Sequence, residues 1–466
     1  MDAFLGTERN PLQVAVVGSG PSGFYAAEAL LKSGQAVRVD MIERLPAPYG
    51  LVRYGVAPDH PKLKEAILAY QVIAQLPHFS LLANVNVGRD IEVDELRAHY
   101  HAIVFACGAE ADRRLGVPGE DLAGSHTATE FVAWYNGHPD YRERSFDLSA
   151  EVAVVIGQGN VAADVCRILA KSVDELRATD IAQHALDALA ASRVREIHLI
   201  GRRGPAQAKF TNKELKELGE LACCDTQVDP RDLALNAESL AELQSKANYI
   251  SAKNVEILRD LAARALGGRP RRLLFRFLES PVELVGAGRL EELVLVRNRL
   301  EGSPFQQSAH STGETERLRC GLLFRSIGYA GVPIPGCPFD ARQGIFPTRD
   351  GRLVDATDAV IPGLYAAGWI KRGPSGIIGT NRADSVATVK SLLADVPSLP
   401  AAAKAGSAGL APLLARRGVR AVSVDDWRVI DAHEVARGEP LGKPREKFTR
   451  VAEMLGCLDG GAVAQR

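Results

Sequence analysis

Residues 12–23, LQVAVVGSGPSG, decide how the N-terminal part of this chain folds. A run of apolar residues ends in the pattern GxGxxG, and a helix is predicted from about Pro21 to Lys32. In this pattern Gly18 allows a tight turn, Gly20 lets the backbone approach a pyrophosphate, and Gly23 permits close packing of the helix on the strand. The stretch therefore predicts a Rossmann-like unit whose helix presents its N-terminus to phosphate groups.

An acidic residue completes this first pattern. Glu43 lies 20 residues after Gly23, at the end of the next predicted strand, AVRVDMIE. A carboxylate at that position accepts hydrogen bonds from ribose hydroxyls and would repel a phosphate there. The first site is therefore predicted to hold a dinucleotide with a bare ribose, and the alternative is a tight packing turn beside an unrelated exposed acid.

A second strand, glycine loop and helix follow about 140 residues later. The sequence GQGNVA matches GxGxxA and contributes Gly157, Gln158, Gly159, Asn160 and Val161. The next predicted strand ends at Arg202 and Arg203, where two guanidiniums can grip a 2′-phosphate by charge-assisted hydrogen bonds. This site is predicted to bind NADP(H), and the alternative for the two arginines is a solvated basic loop. The 40 residues from Ala162 to Arg202 predict extra helix or loop in the crossover.

Composition narrows the class of protein further. The chain has 466 residues, enough for two domains, and a net charge of −1, which argues against nucleic acid as a partner. Its seven cysteines include no CxxC pair and no iron–sulfur or other metal-ligand spacing, so they are interpreted as reduced thiols; a redox role for Cys223-Cys224 is the alternative. The N-terminus has no apolar signal-like region and no apolar run long enough to span a bilayer is present, so a cytoplasmic location without a membrane span is expected.

The order of predicted strands suggests that one unit is inserted into the other. Antiparallel strands are predicted at residues 273–285 and 290–298, and the strand-rich part after residue 325 is expected to return to the first unit. The predicted fold class is α/β, with two Rossmann-like three-layer dinucleotide-binding domains. An FAD-binding domain is predicted from residues 1–106 and 330–466, with an NADP-binding domain at 107–329 inserted between its parts.

Several longer stretches resemble one family. They are VVGSGPSGFYAAEALL, LPAPYGLVRYGVAPDHPKLK, VVIGQGNVAADVCRILA, IGRRGPAQAKFTNKELKEL, RSIGY and GWIKRGPSGIIGTNRADS, and the C-terminal tail is similar too. The chain resembles the adrenodoxin-reductase-type ferredoxin–NADP⁺ reductases over nearly its whole length. The loop APDHPK and the stretch GWIKRGP are far more specific than either glycine pattern alone.

The resemblance implies which residues bind the cofactors. For FAD it implies Ser22, Glu43, Leu51, Val87, Trp369, Gly376, Ile377 and Ile378. For NADP it implies Gln158, Gly159, Asn160, Val161, Arg202, Arg203, Glu214 and Gly376. The alternatives are a plain core aromatic for Trp369 and an exposed helical acid for Glu214.

The implied activity is electron transfer from NADPH via FAD to a ferredoxin. His60 and Asp164 are the polar candidates for catalytic proton handling or partner docking, against a structural hydrogen-bonding role. Eight basic residues and two acids between Lys246 and Arg276 predict a face that attracts an acidic ferredoxin, and the alternative is a solvated face. Alternative functions are a glutamate-synthase-small-subunit-like or disulfide-reductase-like enzyme, or an NADPH-sensing flavoprotein.

Overall fold

The computed structural model describes residues 4–376 and 378–460, and two sheets organise this part of the chain. The first sheet has the order β16-β17-β18-β4-β1-β2-β3, and its strands from β18 to β3 run parallel. Its members are β1 (Leu12–Val17), β2 (Val37–Ile42), β3 (Phe79–Leu82), β4 (Ala102–Phe105), β16 (Thr348–Arg349), β17 (Arg352–Val354) and β18 (Val360–Ala366). We call this sheet and its helices the first unit.

The second sheet is parallel throughout its described strands and has the order β6-β14-β7-β8-β10-β9. These strands are β6 (Ser125–Thr127), β7 (Val152–Ile156), β8 (Glu196–Gly201), β9 (Cys224–Val228), β10 (Arg271–Phe277) and β14 (Leu322–Arg325). A three-stranded antiparallel sheet lies beside it: β11 (Glu279–Val285), β12 (Glu292–Glu301) and β13 (Ser308–Arg319). Together with their helices these strands form the second unit.

The prediction of antiparallel strands at residues 273–285 was wrong for its first half. Strand β10 pairs parallel with both β8 and β9, and only the part from Glu279 onward is antiparallel. The stretch contains two strands with different partners, which periodicity alone does not separate.

The helices surround the two sheets. In the first unit they are α1 (Pro21–Leu31), α2 (Leu51–Tyr54), α3 (Pro61–Lys64), α4 (Ala66–Ile73), α5 (Val93–His99), α13 (Trp369–Arg372), α14 (Thr380–Asp395), α15 (Ser407–Arg416), α16 (Val424–Gly438) and α17 (Val451–Gly456). In the second unit they are α6 (Ala128–Tyr135), α7 (Asn160–Ala170), α8 (Val173–Leu176), α9 (Gln183–Ala190), α10 (Asn212–Leu218), α11 (Ala237–Gln244) and α12 (Tyr249–Ala262). Helices α8 and α9 are the extra helices that the long crossover predicts.

The chain passes between the sheets at a short antiparallel ribbon of β5 (Ala111–Asp112) and β15 (Tyr329–Ala330). The second sheet is built from residues 125–325, and the first sheet from residues before and after that range. The domain bounds 1–106 with 330–466, and 107–329, stay a prediction.

Burial explains why these strands are so apolar. All six residues of β1 are buried because both faces of a parallel sheet are covered. Helices α1 and α14 pack against each other on the first sheet, and Trp427 of α16 is buried in the same core. No helix among residues 4–376 and 378–460 is long and apolar enough to cross a membrane.

Candidate functional site

The first glycine loop joins β1 to α1. Gly18 has a φ of 105°, and a Cβ there would lie 2.5 Å from the carbonyl oxygen of Ala106. A Cβ on Gly23 would lie 2.0 Å from the carbonyl oxygen of Gly18, so both positions require glycine. A Cβ on Gly20 would meet no atom within 4 Å, which leaves open space before the N-terminus of α1. The loop therefore fits a pyrophosphate.

Glu43 stands directly after β2 and beside this loop. Its Oε2 accepts hydrogen bonds from the backbone N–H of Ser19 at 3.0 Å and from its hydroxyl at 2.6 Å. Its Oε1 accepts from the backbone N–H of Leu45 at 3.0 Å. The carboxylate is thus fixed beside the loop, which is compatible with the predicted contact to ribose hydroxyls.

The segment after β18 returns to the first loop. A Cβ on Gly368 would lie 2.1 Å from the hydroxyl oxygen of Ser22, and that hydroxyl donates to Asn381 Oδ1 at 3.2 Å. Gly376 has a φ of 85°, and a Cβ there would lie 2.3 Å from Thr380 Oγ1. Gly376 is therefore required by the packing of its own chain, and its contact with the cofactors stays a prediction.

Trp369 begins α13 and is half-buried. Its ring stacks on Tyr329, with centroids 5.8 Å apart and planes inclined by 16°, and its indole N–H donates to the carbonyl oxygen of Ser375 at 3.2 Å. Trp369 therefore lies at a junction of the two units, because Tyr329 belongs to the ribbon between the sheets, and not within a plain core.

The remaining residues implied for FAD lie in different surroundings. Leu51 begins α2 and is 44% exposed, whereas Val87 is buried in a core on the first sheet. Ile378 packs partly buried against the core around α1. Ile377 lies outside the described residues.

The second glycine loop joins β7 to α7. A Cβ on Gly157 would lie 2.1 Å from the carbonyl oxygen of Ser326, whereas Gly159 faces open space. Asn160 opens the helix, and its Oδ1 accepts from the backbone N–H of Thr211 at 2.8 Å. The carbonyl oxygen of Gln158 accepts from the backbone N–H of Lys209 at 2.7 Å, so the exposed Lys209 lies beside the loop. Lys209 is a cation beside the glycine loop that the sequence pattern did not indicate.

Arg202 and Arg203 follow β8, as predicted. Their carbonyl oxygens accept from Asn298 Nδ2 at 3.0 Å and from the backbone N–H of Leu278 at 3.1 Å. Neither guanidinium forms an ion pair or hydrogen bond with a residue in the described part of the chain. The backbone is fixed while both side chains stay available, which fits a phosphate group. Val161, the last residue of the predicted NADP loop, is half-buried and packs against the hydrophobic core of the second unit.

A buried ionic cluster lies between the two units. Its centre is Arg167 of α7, whose side chain is 1% exposed. The guanidinium forms a bidentate pair with Asp59 at 2.7 and 3.0 Å and contacts Asp164 at 2.7 Å. It also contacts Glu214 Oε2 at 3.0 Å and His60 Nδ1 at 3.4 Å.

His60 has further acidic neighbours in this cluster. Its Nε2 lies 2.7 Å from Glu217, and its Nδ1 lies 3.6 Å from Glu214. Glu214 is buried, so the alternative of an exposed helical acid is wrong. His60 and Asp164, the two predicted catalytic candidates, both contact Nη2 of Arg167, at 3.4 and 2.7 Å.

Electrostatics in the cluster favour a charged Asp59 and a more easily protonated Asp164. Burial would raise the pKa of Asp59, but hydrogen bonds from Arg167 and the charge of Lys171 hold it well below its usual range. Burial raises the pKa of Asp164 to about 6, although Arg167 opposes this shift. Burial would lower the pKa of Arg167, yet its bond to Asp59 and the charges around it raise that pKa instead.

The sequence reading missed Arg167 and Asp59 as members of the site. A signal was present: Arg167 is the one charged residue in the apolar run VCRILA, where a charge needs a buried partner. The partner, Asp59, is 108 residues away in sequence, so the pairing itself carried no local signal.

The stretch Lys246–Arg276 spans α12 and β10 and does not present eight free charges. Lys253 pairs with Glu256, Arg272 with Glu196, and Arg276 with Glu279. Three arginines bind backbone carbonyl oxygens, and these are Arg264, Arg269 and Arg271. Arg269 also pairs with Asp225 at 3.7 Å. No ion pair with a described residue is formed by Lys246, Arg259, Arg264 or Arg271.

Two unlike dinucleotide loops, one with an acid and one with free arginines, define a flavin- and NADP(H)-binding oxidoreductase. A model of the pyridine nucleotide-disulphide oxidoreductase family matches residues 12–203. NADPH:adrenodoxin oxidoreductase of Salvelinus fontinalis, a mitochondrial protein, is 46% identical, over 95% of this chain and 90% of the relative. NADPH-ferredoxin reductase FprA of Mycobacterium leprae is 45% identical, over 95% of this chain and 97% of the relative.

The solved structure of Mycobacterium tuberculosis FprA in complex with NADPH matches with a TM-score of 0.91 and 44% identity, covering 97% of this chain and 100% of that one. This chain belongs to the adrenodoxin-reductase-type ferredoxin–NADP⁺ reductase family. It is an oxidoreductase that uses FAD and NADP(H), and the predictions of fold class, enzyme class and cofactors are confirmed.

Proposed function

We propose that this protein transfers electrons from NADPH through FAD to a ferredoxin, an iron–sulfur carrier. The observation that carries the proposal is the pairing of two unlike loops on a chain that matches NADPH-ferredoxin reductases over almost their full length. A bound FAD would supply the step between a two-electron hydride donor, NADPH, and an acceptor that takes electrons singly.

The residues proposed to hold FAD lie mainly around the first loop and the returning segment. They are Gly18, Gly20, Ser22, Gly23, Glu43, Leu51, Val87, Trp369, Gly376, Ile377 and Ile378. Glu43 supports this assignment because its carboxylate is fixed by Ser19 and Leu45 beside the loop.

The residues proposed to hold NADP(H) lie around the second loop and the end of β8. They are Gly157, Gln158, Gly159, Asn160, Val161, Arg202, Arg203, Glu214 and Gly376. The free guanidiniums of Arg202 and Arg203 support a contact with the 2′-phosphate, and the space at Gly159 supports a pyrophosphate there.

His60 and Asp164 are proposed to handle protons beside the reacting rings. The support is their common contact with Arg167 and the pKa of Asp164, which burial raises to about 6, near the working pH of a cell. Asp164 then holds or releases a proton without leaving its neighbours.

The docking of the acceptor is proposed at the stretch Lys246–Arg276. Four of its basic side chains are paired with acids, so its uncompensated charge comes from the other four, which are Lys246, Arg259, Arg264 and Arg271. Their expected effect is to steer an acidic ferredoxin from a distance, which raises the association rate at low salt. The cytoplasm is the proposed compartment, which the seven free thiols favour.

The test combines flavin reduction with acceptor reduction. Stopped-flow mixing with NADPH should bleach the flavin, and cytochrome c reduction should then depend on added ferredoxin. A disulfide-reductase-like enzyme would instead reduce a disulfide substrate, and an NADPH sensor would bleach without passing electrons on. Absence of ferredoxin-dependent turnover would refute the proposed acceptor.

A further inference from the structure

One short segment of the first unit makes buried ionic contacts with the second unit at both of its ends. The segment is Asp59–Lys64, and it includes α3. At one end Asp59 forms the bidentate pair with Arg167 and lies 2.8 Å from the ammonium of Lys171. At the other end Lys64 donates to both carboxylate oxygens of Asp180, at 2.7 and 2.8 Å.

The Lys64 end is reinforced by the C-terminal part of the chain. Lys447, whose side chain is 1% exposed, lies 2.9 Å from Asp180 and donates to the carbonyl oxygen of Asn136 at 3.1 Å. Lys64 also donates to the amide oxygen of Asn136 at 3.2 Å. The first unit therefore contacts the second through two buried ionic clusters, one at Arg167 and one at Asp180, and the segment Asp59–Lys64 contributes to both.

The Arg167 cluster is the one tied to nucleotide binding. Arg167 lies on α7, seven residues after Asn160, which opens the helix at the second glycine loop. At ~1.5 Å of rise per residue the guanidinium is roughly 10 Å along the helix from that loop. Because a helix moves as a rigid element, a change in the contact between Arg167 and Asp59 would also move the second glycine loop.

The arrangement of charges around Arg167 restricts the orientation in which its guanidinium contacts Asp59. Arg167 faces Asp59 from the first unit and Asp164 and Glu214 from the second. A planar guanidinium presents its donors in a fixed fork, so it meets these carboxylates in one orientation, which a lysine ammonium does not impose. The contact therefore sets an angle between the units as well as holding them together.

We propose that Arg167 is a positioning residue that, by seating on Asp59, sets the orientation of the NADP(H)-binding unit on the flavin-binding unit. The inference rests on the proposed function, because the orientation matters through the approach of the nicotinamide to the flavin. Hydride transfer requires a close, aligned approach, and a misplacement of ~1 Å costs about 100-fold in rate.

The test uses the FAD-loaded enzyme and compares Arg167→Met, Arg167→Lys and the matched control Arg352→Met. Arg352 forms a similar bidentate pair with Asp395, at 2.7 and 2.9 Å, but within the first unit. Flavin reduction is followed by stopped flow with NADPH and with NADPH deuterated at the transferred position. The charge-transfer absorbance of the nucleotide complex and small-angle scattering report geometry independently of turnover.

For Arg167→Met we expect flavin reduction to slow by at least ~10-fold, the isotope effect to rise, and the charge-transfer band to weaken. The Kd for NADP⁺ should change by less than ~3-fold, since the loop and Arg202 and Arg203 are intact. Arg167→Lys should recover part of the rate, and Arg352→Met should leave rate, isotope effect and band unchanged.

A purely structural role of Arg167 would affect the stability of the protein and not the rate of flavin reduction. A lower melting temperature with unchanged rate, isotope effect and charge-transfer band at 25 °C would overturn the inference. A weaker Kd with an unchanged limiting rate would overturn it too, because Arg167 would then act on nucleotide binding, directly or through Glu214, which it contacts at 3.0 Å.

A second variant keeps the test decisive if Arg167→Met does not fold. Asp59→Asn preserves shape and removes the charge on the first-unit side, and it should slow flavin reduction in the same way. These measurements need no ferredoxin, so failure of the acceptor proposal leaves them valid. A wild-type enzyme that NADPH does not reduce would refute the proposed function itself.

Discussion

Replacing Arg202 and Arg203 together by alanine tests how the second site chooses its nucleotide. Both side chains are free of partners among the described residues, so their removal breaks no internal ion pair. The loss therefore reports contact with the ligand alone. NADPH and NADH differ only in the 2′-phosphate, so the ratio of their kcat/KM values isolates that contact.

The expected magnitude follows from the number and exposure of the contacts. A hydrogen bond to a charged group contributes ~1.5–3 kcal/mol. Arg202 is exposed and Arg203 is half-buried, so solvent reduces the combined loss to about 2–3 kcal/mol. At ~1.4 kcal/mol per factor of ten, the preference for NADPH should fall roughly 30- to 150-fold.

The assay is ferricyanide reduction with each nucleotide at two salt concentrations. The kcat/KM for NADH should stay within ~3-fold of wild type, and the loss with NADPH should shrink at high salt, which screens exposed charges. Arg231→Ala is the control, since this arginine is 88% exposed and pairs with Asp229. Equal losses with both nucleotides would show that the arginines do not recognise the 2′-phosphate.

Three further predictions follow from single contacts. Lys209→Ala should raise the KM for NADPH and NADH alike, by about 3- to 10-fold, because a cation beside Gly159 meets the pyrophosphate that both share; initial rates with the two nucleotides check this. Asp164→Asn should gain up to about 2 kcal/mol of stability relative to wild type as pH rises from about 4 to about 6, measured by urea unfolding across that window. The sign follows from the pKa of Asp164, which is about 6 in the folded protein and lower in the unfolded chain. Between these two values the unfolded wild-type chain releases the proton more readily than the folded protein, so the wild type loses stability as pH rises and the Asn variant does not. Glu434→Gln should lower the free energy of unfolding by about 3 kcal/mol, because it leaves the buried guanidinium of Arg53, 2.5 Å away, without its carboxylate.

Each of these predictions has an outcome that contradicts it. If Lys209→Ala raised the KM for NADPH but not the KM for NADH, Lys209 would contact the 2′-phosphate and not the pyrophosphate. A stability difference for Asp164→Asn that does not vary between pH 4 and 6 would mean that Asp164 titrates as an ordinary carboxyl. Unchanged unfolding of Glu434→Gln would mean that Arg53 finds another acceptor.

Much of the site was predictable because its signals are local. A glycine loop between strand and helix is read from about a dozen neighbouring residues, and the residue after the following strand lies at the same sheet edge. Glu43 and the pair Arg202 and Arg203 therefore stand where the pattern expects them. Their binding roles stay predictions until the variants are measured.

The pairing of one strand and the ion pairs of the basic stretch could not be predicted, because both depend on contacts with other parts of the chain. The strand Arg271–Phe277 pairs parallel with strands on both sides, although its sequence runs into a genuine antiparallel strand. The basic residues of Lys246–Arg276 are neighbours in sequence, yet several are paired with acids from other strands, such as Glu196. In both cases the partners come from distant parts of the chain.

Two dinucleotide sites, the one of them that takes a 2′-phosphate, and the order of the units along the chain could all be predicted from the amino-acid sequence. These properties depend on short patterns whose geometry is set by neighbouring residues. The buried cluster between the units, in contrast, is visible only in the folded protein, where Arg167 contacts Asp59, His60, Asp164 and Glu214. A buried charge must find opposite charges wherever the fold brings them, and here the fold brings Asp59 to Arg167 across 108 residues of sequence.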